Sequence, residues 1–188
     1  MKKQHFILLA AVALFLTSCN EEKKPADLST YTEQGKIIAM NTQKLLGKNL
    51  KGTMKTKGPV AAVAFCNAKA NPLTAEMEQK FGATIKRVSD KHRNANNAPN
   101  EVEAKIITDY ITSLQAGKEL KPITQEEKDG KIHFYAPIKV KGLCLTCHGD
   151  AIATPVDSIL KVKYPNDKAI GYKDGELRGI WSITINKK

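Results

Sequence analysis

The stretch Cys144-Leu145-Thr146-Cys147-His148-Gly149 carries more chemistry than any other in this chain. It reads C-x-x-C-H, the attachment pattern of c-type haem. Two thiols three positions apart can add to the two vinyl groups on one edge of the macrocycle. The histidine beside the second thiol then lies under the ring, where its imidazole can bind iron. Thioether bonds keep such a haem from diffusing away outside the cytoplasm. Gly149 is expected to leave room where the chain clears the ring edge. Half of a zinc site and a thioredoxin-like redox pair also use C-x-x-C. A structural zinc site usually takes four Cys or His ligands, and the other cysteines, Cys19 and Cys66, are too far apart in sequence to form a second pair. One covalent haem c is therefore the expected cofactor.

The N-terminus fits that chemistry. Residues 1–18 read as a signal peptide, with Lys2 and Lys3 ahead of an apolar run from Phe6 to Leu16 that is too short to span a bilayer. Leu16-Thr17-Ser18-Cys19 fits a lipobox, which makes Cys19 the expected lipid carrier. The expected location is a bacterial membrane, with the chain lipid-anchored and facing the periplasm, where haem c is attached. Residues 19–26 suit a short tether and residues 27–188 one domain with a proper core. Without Lys2 and Lys3 the chain holds 28 Lys and Arg against 19 Asp and Glu, a balance of +9. An exported protein has little access to nucleic acid, so this charge points to solubility, anionic lipid headgroups or an acidic redox partner. The lysines read as scattered rather than clustered.

These elements must position the motif. Residues 27–57 read as a long amphipathic helix, capped by Asp27 or Ser29, with an apolar face of Tyr31, Ile38, Leu45, Leu46, Leu50 and Met54. Such a helix can pack on a sheet or dimerise. Gly58-Pro59 ends it, and residues 60–70 form a second helix that is apolar on all sides and therefore buried. A third spans 72–81, from Pro72 to Gly82. A strand at 83–89 leads to an Asn-rich loop at 90–100, held by its own side-chain hydrogen bonds. Asn100 caps a helix with the stripe Val102, Ile106, Tyr110 and Leu114, stopped by Gly117. Asp129-Gly130 marks a hairpin between 123–128 and 131–140, where Ile132, Phe134 and Ala136 alternate with His133 and Tyr135. The haem motif hangs off its end. A short helix at 157–163, a turn-rich loop at 164–175 and a strand at 179–185 complete the chain. In that last strand Ile180, Ser182 and Thr184 face away from Trp181, Ile183 and Ile185.

Cys66 sits in the small-residue run of the second helix. A buried structural thiol and a distal haem ligand fit that pattern equally well. Arg87, His92 and Arg93 could pair with haem propionates. Met40, Met54 and Met77 are the thioether alternatives for iron, and His92 and His133 the candidate acid–base groups of a haem enzyme.

Taken in order, Arg87-Val88-Ser89, Arg93-Asn94 with Asn97-Ala98-Pro99, Phe134-Tyr135-Ala136-Pro137-Ile138, the haem motif, and Tyr164-Pro165-Asn166-Asp167-Lys168-Ala169-Ile170-Gly171-Tyr172 running to Arg178-Gly179 resemble the single-haem PAS-like c-haem domains. The resemblance covers residues 66–188, and the chain departs from it at Ala95, where a proline is common. It implies an α+β fold, a PAS-like central antiparallel sheet flanked by helices, here preceded by a long N-terminal helix. It implies thioethers at Cys144 and Cys147, His148 as one axial ligand and an upstream cysteine, matched by Cys66, as the other.

The expected function is one-electron transfer or haem-based redox sensing, not enzymatic catalysis. A diatomic-gas sensor is the first alternative and a peroxidase-type enzyme the second. The expected partners are an unknown redox protein, for which an acidic surface would match the charge, a membrane through the lipid, and a second copy through the N-terminal helix.

Overall fold

A computed structural model describes residues 27–187. The signal peptide, the lipobox with Cys19 and the whole tether lie outside these residues.

Helix α1 (Ser29–Phe81) is a single long element bent at Gly58, whose φ of 79° and ψ of 175° are the only non-helical values within it. The sequence separates three helices here. The break before Pro59 is present as a kink, because only glycine tolerates that backbone and Pro59 can open the following turn. Pro72 does not start a new helix. It removes one backbone donor, the one that would reach the Ala68 carbonyl, and the helix runs through it to Phe81 without a break. Leu28, not Asp27 or Ser29, occupies the cap position, with no side-chain cap bond, and the Asp27 carboxylate just before it accepts from the Ser29 N–H at 2.9 Å. The second half of α1 is not buried all round: Ala62 and Val63 are buried, whereas Val60 and Ala64 are exposed and Cys66 is half-buried. Its uniformly apolar composition comes from lining a cleft rather than from sitting inside a core.

Strands β1 (Ala83–Val88), β2 (Ile123–Glu126), β3 (Ile132–Lys139) and β4 (Leu177–Ile185) form one antiparallel sheet in the order β1-β4-β3-β2. This is the α+β class, with a central antiparallel sheet and a long N-terminal helix, expected from the sequence. The last strand in sequence is interior to the sheet: Ile183 lies opposite both Ile85 of β1 and Phe134 of β3. Both faces are covered, so β4 is buried almost throughout. On one face Ile38, Ala39 and Met77 of α1 pack on Ile85, Phe134, Trp181 and Ile183. Helix and sheet approach closely there; a Cβ on Gly35 would lie 2.2 Å from the Phe134 ring.

On the other face, helix α2 (Glu101–Gln115) packs Ile106, Ile107 and Tyr110 on Val88, Tyr135 and Ile180. The Asn100 cap is a reciprocal capping box with Glu103. The expected stripe is rotated: Ile107 is buried and Val102 is 40% exposed. Tyr135 is likewise buried, because α2 covers the face that strand alternation alone leaves open. Between β1 and α2, Asn94 accepts from the Asn96 N–H at 3.0 Å, the self-bonded loop expected of that Asn-rich segment. After β3 come two short helices, α3 (Gly142–His148) and α4 (Thr154–Lys163), and α4 packs Val156 and Leu160 against Val63 of α1.

Candidate haem site

The haem motif forms helix α3, two residues beyond the end of β3. Positions three and four apart share a helix face, so Cys144, Cys147 and His148 present two sulfurs and an imidazole on one side. Gly149 ends α3, and its N–H donates to the Leu145 carbonyl at 3.0 Å. Its need for glycine is steric and local: a Cβ would lie 2.7 Å from that same carbonyl oxygen.

His148 is fixed in one tautomer. Its Nδ1 lies 2.8 Å from the Ala169 carbonyl oxygen, which can only accept, so Nδ1 carries the hydrogen and the Nε2 lone pair is left for a metal. Burial, reinforced by Arg178 and Arg93, pushes the imidazole pKa down to about 3, which keeps the ring neutral as a ligand must be.

The loop after α4 is bound to the motif along its backbone. Tyr172 N–H donates to the His148 carbonyl and Gly171 N–H to the Gly149 carbonyl, both at 2.9 Å. Arg93 ties the two together. Its Nε donates to Asp167 at 2.9 Å, and its terminal nitrogen donates to the Cys147 carbonyl and, at 3.2 Å, to the same Ala169 carbonyl that orients His148. Both partners of the Arg93–Asp167 pair are largely buried. Asp167 in turn accepts from the Ala169 N–H at 2.8 Å.

Together with this assembly, α1 lines an open cleft of about 1010 Å³. Leu50, Met54, Ala62, Val63 and Cys66 line it from α1, and Cys144, Cys147 and His148 line it from α3. Arg87, Arg93, Arg178 and Tyr164 complete the lining. Burial pushes the Cys66 thiol pKa up, the nearby Arg87 pulls it back, and Cys147 raises it again. Burial likewise raises Cys147 and lowers Arg87 and Arg178.

These residues fit a haem. The motif supplies two thiols and an imidazole with a free lone pair, and the α1 wall is mostly apolar with one thiol. Arg87 and Arg178 are half-buried guanidiniums with no carboxylate within ion-pair distance among the described residues. Such cations suit the two propionates of the group. A zinc site is less well served: among the described residues, no group of three or more His, Cys, Asp or Glu side chains is arranged to hold a metal ion.

Comparison with known proteins decides the relationship. Residues 16–186 match the family described as Tll0287-like. The chain belongs to the Tll0287-like family. Among solved structures it is similar to the cyanobacterial haem protein Tll0287, at 25% identity, over 88% of this chain and 98% of that one, with a TM-score of 0.61. No curated protein matches. The family agrees with the resemblance to PAS-like c-haem domains carried by the sequence motifs.

In this Tll0287-like chain the expected site residues Cys66, Arg87, Arg93, Cys144, Cys147 and His148 all line one cleft. Of the three methionines, Met54 lines it, Met40 is 61% exposed and Met77 is in the core. His133 lies on the hairpin, 3.1 Å from Asp129, and not in the cleft. His92 lines a smaller adjoining cavity of about 540 Å³ together with Arg87, Arg178 and His148. Arg93 is held by Asp167 and two carbonyls, so its main role is to brace the motif. Arg178, Asp167 and the Ala169 carbonyl are site components that the sequence reading did not single out. Arg178 and Asp167 lie inside the stretches that resemble the family, but a backbone carbonyl has no residue signature at all.

Proposed function

We propose that this chain is a c-type haem protein, with thioethers at Cys144 and Cys147 and with His148 and Cys66 as axial ligands. It acts as a one-electron carrier or haem-based redox sensor rather than an enzyme. Such a group supplies a ferric/ferrous couple when bound. The observation that carries the reading is that Cys66 of α1 lines the same cleft as Cys144, Cys147 and His148 of α3. The similarity to a solved haem protein supports the binding of haem.

The residues divide the work. Ala169 holds the proton on Nδ1 of His148 and so directs Nε2 into the cleft. Arg93 and Asp167 hold that carbonyl and the Cys147 carbonyl in place. Arg87 and Arg178 take the propionates. The apolar side chains of α1 keep water from the face of the ring. The Cys66 thiol, kept protonated by burial, loses its proton to bind as thiolate, and Arg87 favours that charge. A thiolate stabilises ferric iron, so the potential is low.

We further propose that Cys19 carries lipid and that the domain faces the periplasm. The support is the sequence of residues 1–19. No helix among the described residues is long and apolar enough to cross a membrane.

The test is expression with a cytochrome c maturation system, followed by a pyridine haemochrome assay and electron paramagnetic resonance. The expected result is one covalent haem per chain and a six-coordinate, low-spin, thiolate-ligated ferric spectrum. A spectrum unchanged in Cys66→Ala overturns the ligand assignment. The unfavourable burial of a thiolate at Cys66 supports a second reading, in which reduction releases the cysteine and a diatomic gas takes its place. Carbon monoxide titration of the ferrous protein separates the two.

A further inference from the structure

The lysines that read as scattered in the sequence are gathered by α1. Lys44, Lys48, Lys51 and Lys55 follow a four-three-four spacing, which keeps them on one face of a helix and spreads them over about 17 Å. All four are exposed. That face points away from the residues that α1 buries, Gly35, Ile38, Ala39 and Thr42. One and two turns toward the N-terminus it continues into Met40 and Ile37, which are 61% and 48% exposed.

Two facts set this face apart from an ordinary solvated one. No Asp or Glu occurs between residues 34 and 75. At the chain's own frequency of 19 acidic residues in 188, a stretch of that length would hold about four. Three lysines elsewhere have a carboxylate on their own helix, in the pairs Lys36–Glu33, Lys105–Asp109 and Lys161–Asp157. No carboxylate among the described residues lies within 4.0 Å of any of the four lysines on this face.

We infer that the Lys44–Lys48–Lys51–Lys55 face of α1 docks on an anionic lipid surface, with Ile37 and Met40 entering the headgroup region. The chemistry is that of an interfacial helix: a cationic stripe for phosphates, and adjoining apolar side chains for the acyl boundary. Choosing a lipid surface over an acidic protein rests on the lipid attachment proposed above. Only seven residues separate Cys19 from Asp27, where the described chain begins, so eight peptide steps join them. Fully extended, they reach about 28 Å, so α1 starts within that distance of the bilayer. The stripe is not part of the cleft lining, so a redox protein docked on it would stand behind α1. On a membrane the same geometry leaves the cleft side of the domain free. The lipid holds the chain, and the lysine face sets its orientation.

The test is co-sedimentation of the holoprotein carrying Cys19→Ser with vesicles of phosphatidylglycerol and phosphatidylcholine, against phosphatidylcholine alone. Two quadruple variants in that background carry equal charge: K44Q/K48Q/K51Q/K55Q on the α1 face, and K118Q/K131Q/K139Q/K173Q elsewhere on the surface. The expected result is salt-sensitive binding to the anionic vesicles, lost at least about a hundredfold in the α1 variant, since each lysine contributes about fivefold. The other variant keeps binding within a few-fold. Equal loss in both variants overturns the inference, as does unchanged binding of the α1 variant. Failure of the parent chain to bind anionic vesicles also overturns it and leaves the face to an acidic protein. Lipid attachment is tested apart from this, by the mass of the mature N-terminus of the unsubstituted chain.

Discussion

Arg93 donates to the backbone carbonyl of Cys147, the second thiol of the haem motif, from a position 54 residues earlier in the chain. The same guanidinium is paired with Asp167 and shares the Ala169 carbonyl with His148. Three segments distant in sequence are thus fixed by one side chain. Arg93→Ala leaves Asp167 buried without its cation, which typically costs about 3 kcal/mol or more. Chemical unfolding of the variant is expected to show that loss, with reduced haem incorporation by the haemochrome assay. Arg93→Lys is expected to restore little, because an ammonium cannot reach three acceptors in the planar fork that arginine offers.

Gly149→Ala tests the steric reading of the last motif position. The added methyl meets the Leu145 carbonyl 2.7 Å away, on backbone that cannot move without shifting α3. A loss of about 1–3 kcal/mol in unfolding free energy is expected, the usual range for overpacking. Stability equal to the parent would mean that α3 adjusts freely.

His148 gives the chain without haem a pH dependence of known sign. Its folded-state pKa is pushed down to about 3 by burial, from an ordinary value of 6.5. Between these values the unfolded chain binds the proton and the folded one does not. The stability that depends on a neutral His148 is therefore complete above about pH 6.5 and is lost as pH falls toward 3. For the haem-free Cys144→Ala/Cys147→Ala chain, unfolding free energies from urea titration are expected to drop across that window by an amount on the order of a few kcal/mol. Adding His148→Gln is expected to flatten that part of the curve.

The residues that could react with haem were legible because their types and spacing are themselves the signal. Cys144, Cys147 and His148 need only a helical turn to share a face. Local elements were legible for the same reason, as with the Asn100 cap and the turn at Asp129-Gly130. What could not be read depends on neighbours distant in sequence. Pro72 looks like a helix start, yet α1 passes through it without a break. Tyr135 reads as the alternate face of a strand until α2 covers it. Arg93 reads as a propionate partner, and only the fold brings Asp167 and two carbonyls to it. The lysine face of α1 was hidden because charge was read along the chain and not around the helix.

Arg87 and Cys66 are expected to move the reduction potential in opposite directions. Both line the cleft, and the Arg87 charge acts directly on the Cys66 thiol. A half-buried cation near the iron opposes the extra positive charge of the ferric state, so Arg87 raises the potential and Arg87→Gln should lower it. The thiolate of Cys66 does the reverse, so Cys66→Ala should raise it. At effective protein dielectric a charge several ångströms away is worth one to a few kcal/mol, about tens of millivolts for a one-electron couple. Spectroelectrochemical titration of the parent and the two variants reads both shifts. Shifts of the same sign would mean that Arg87 acts chiefly by stabilising the bound thiolate, since removing it would then weaken the ligand as removing Cys66 does. Titrating the double variant separates these cases: independent effects add, whereas an Arg87 that works through the thiolate has no effect once Cys66 is gone.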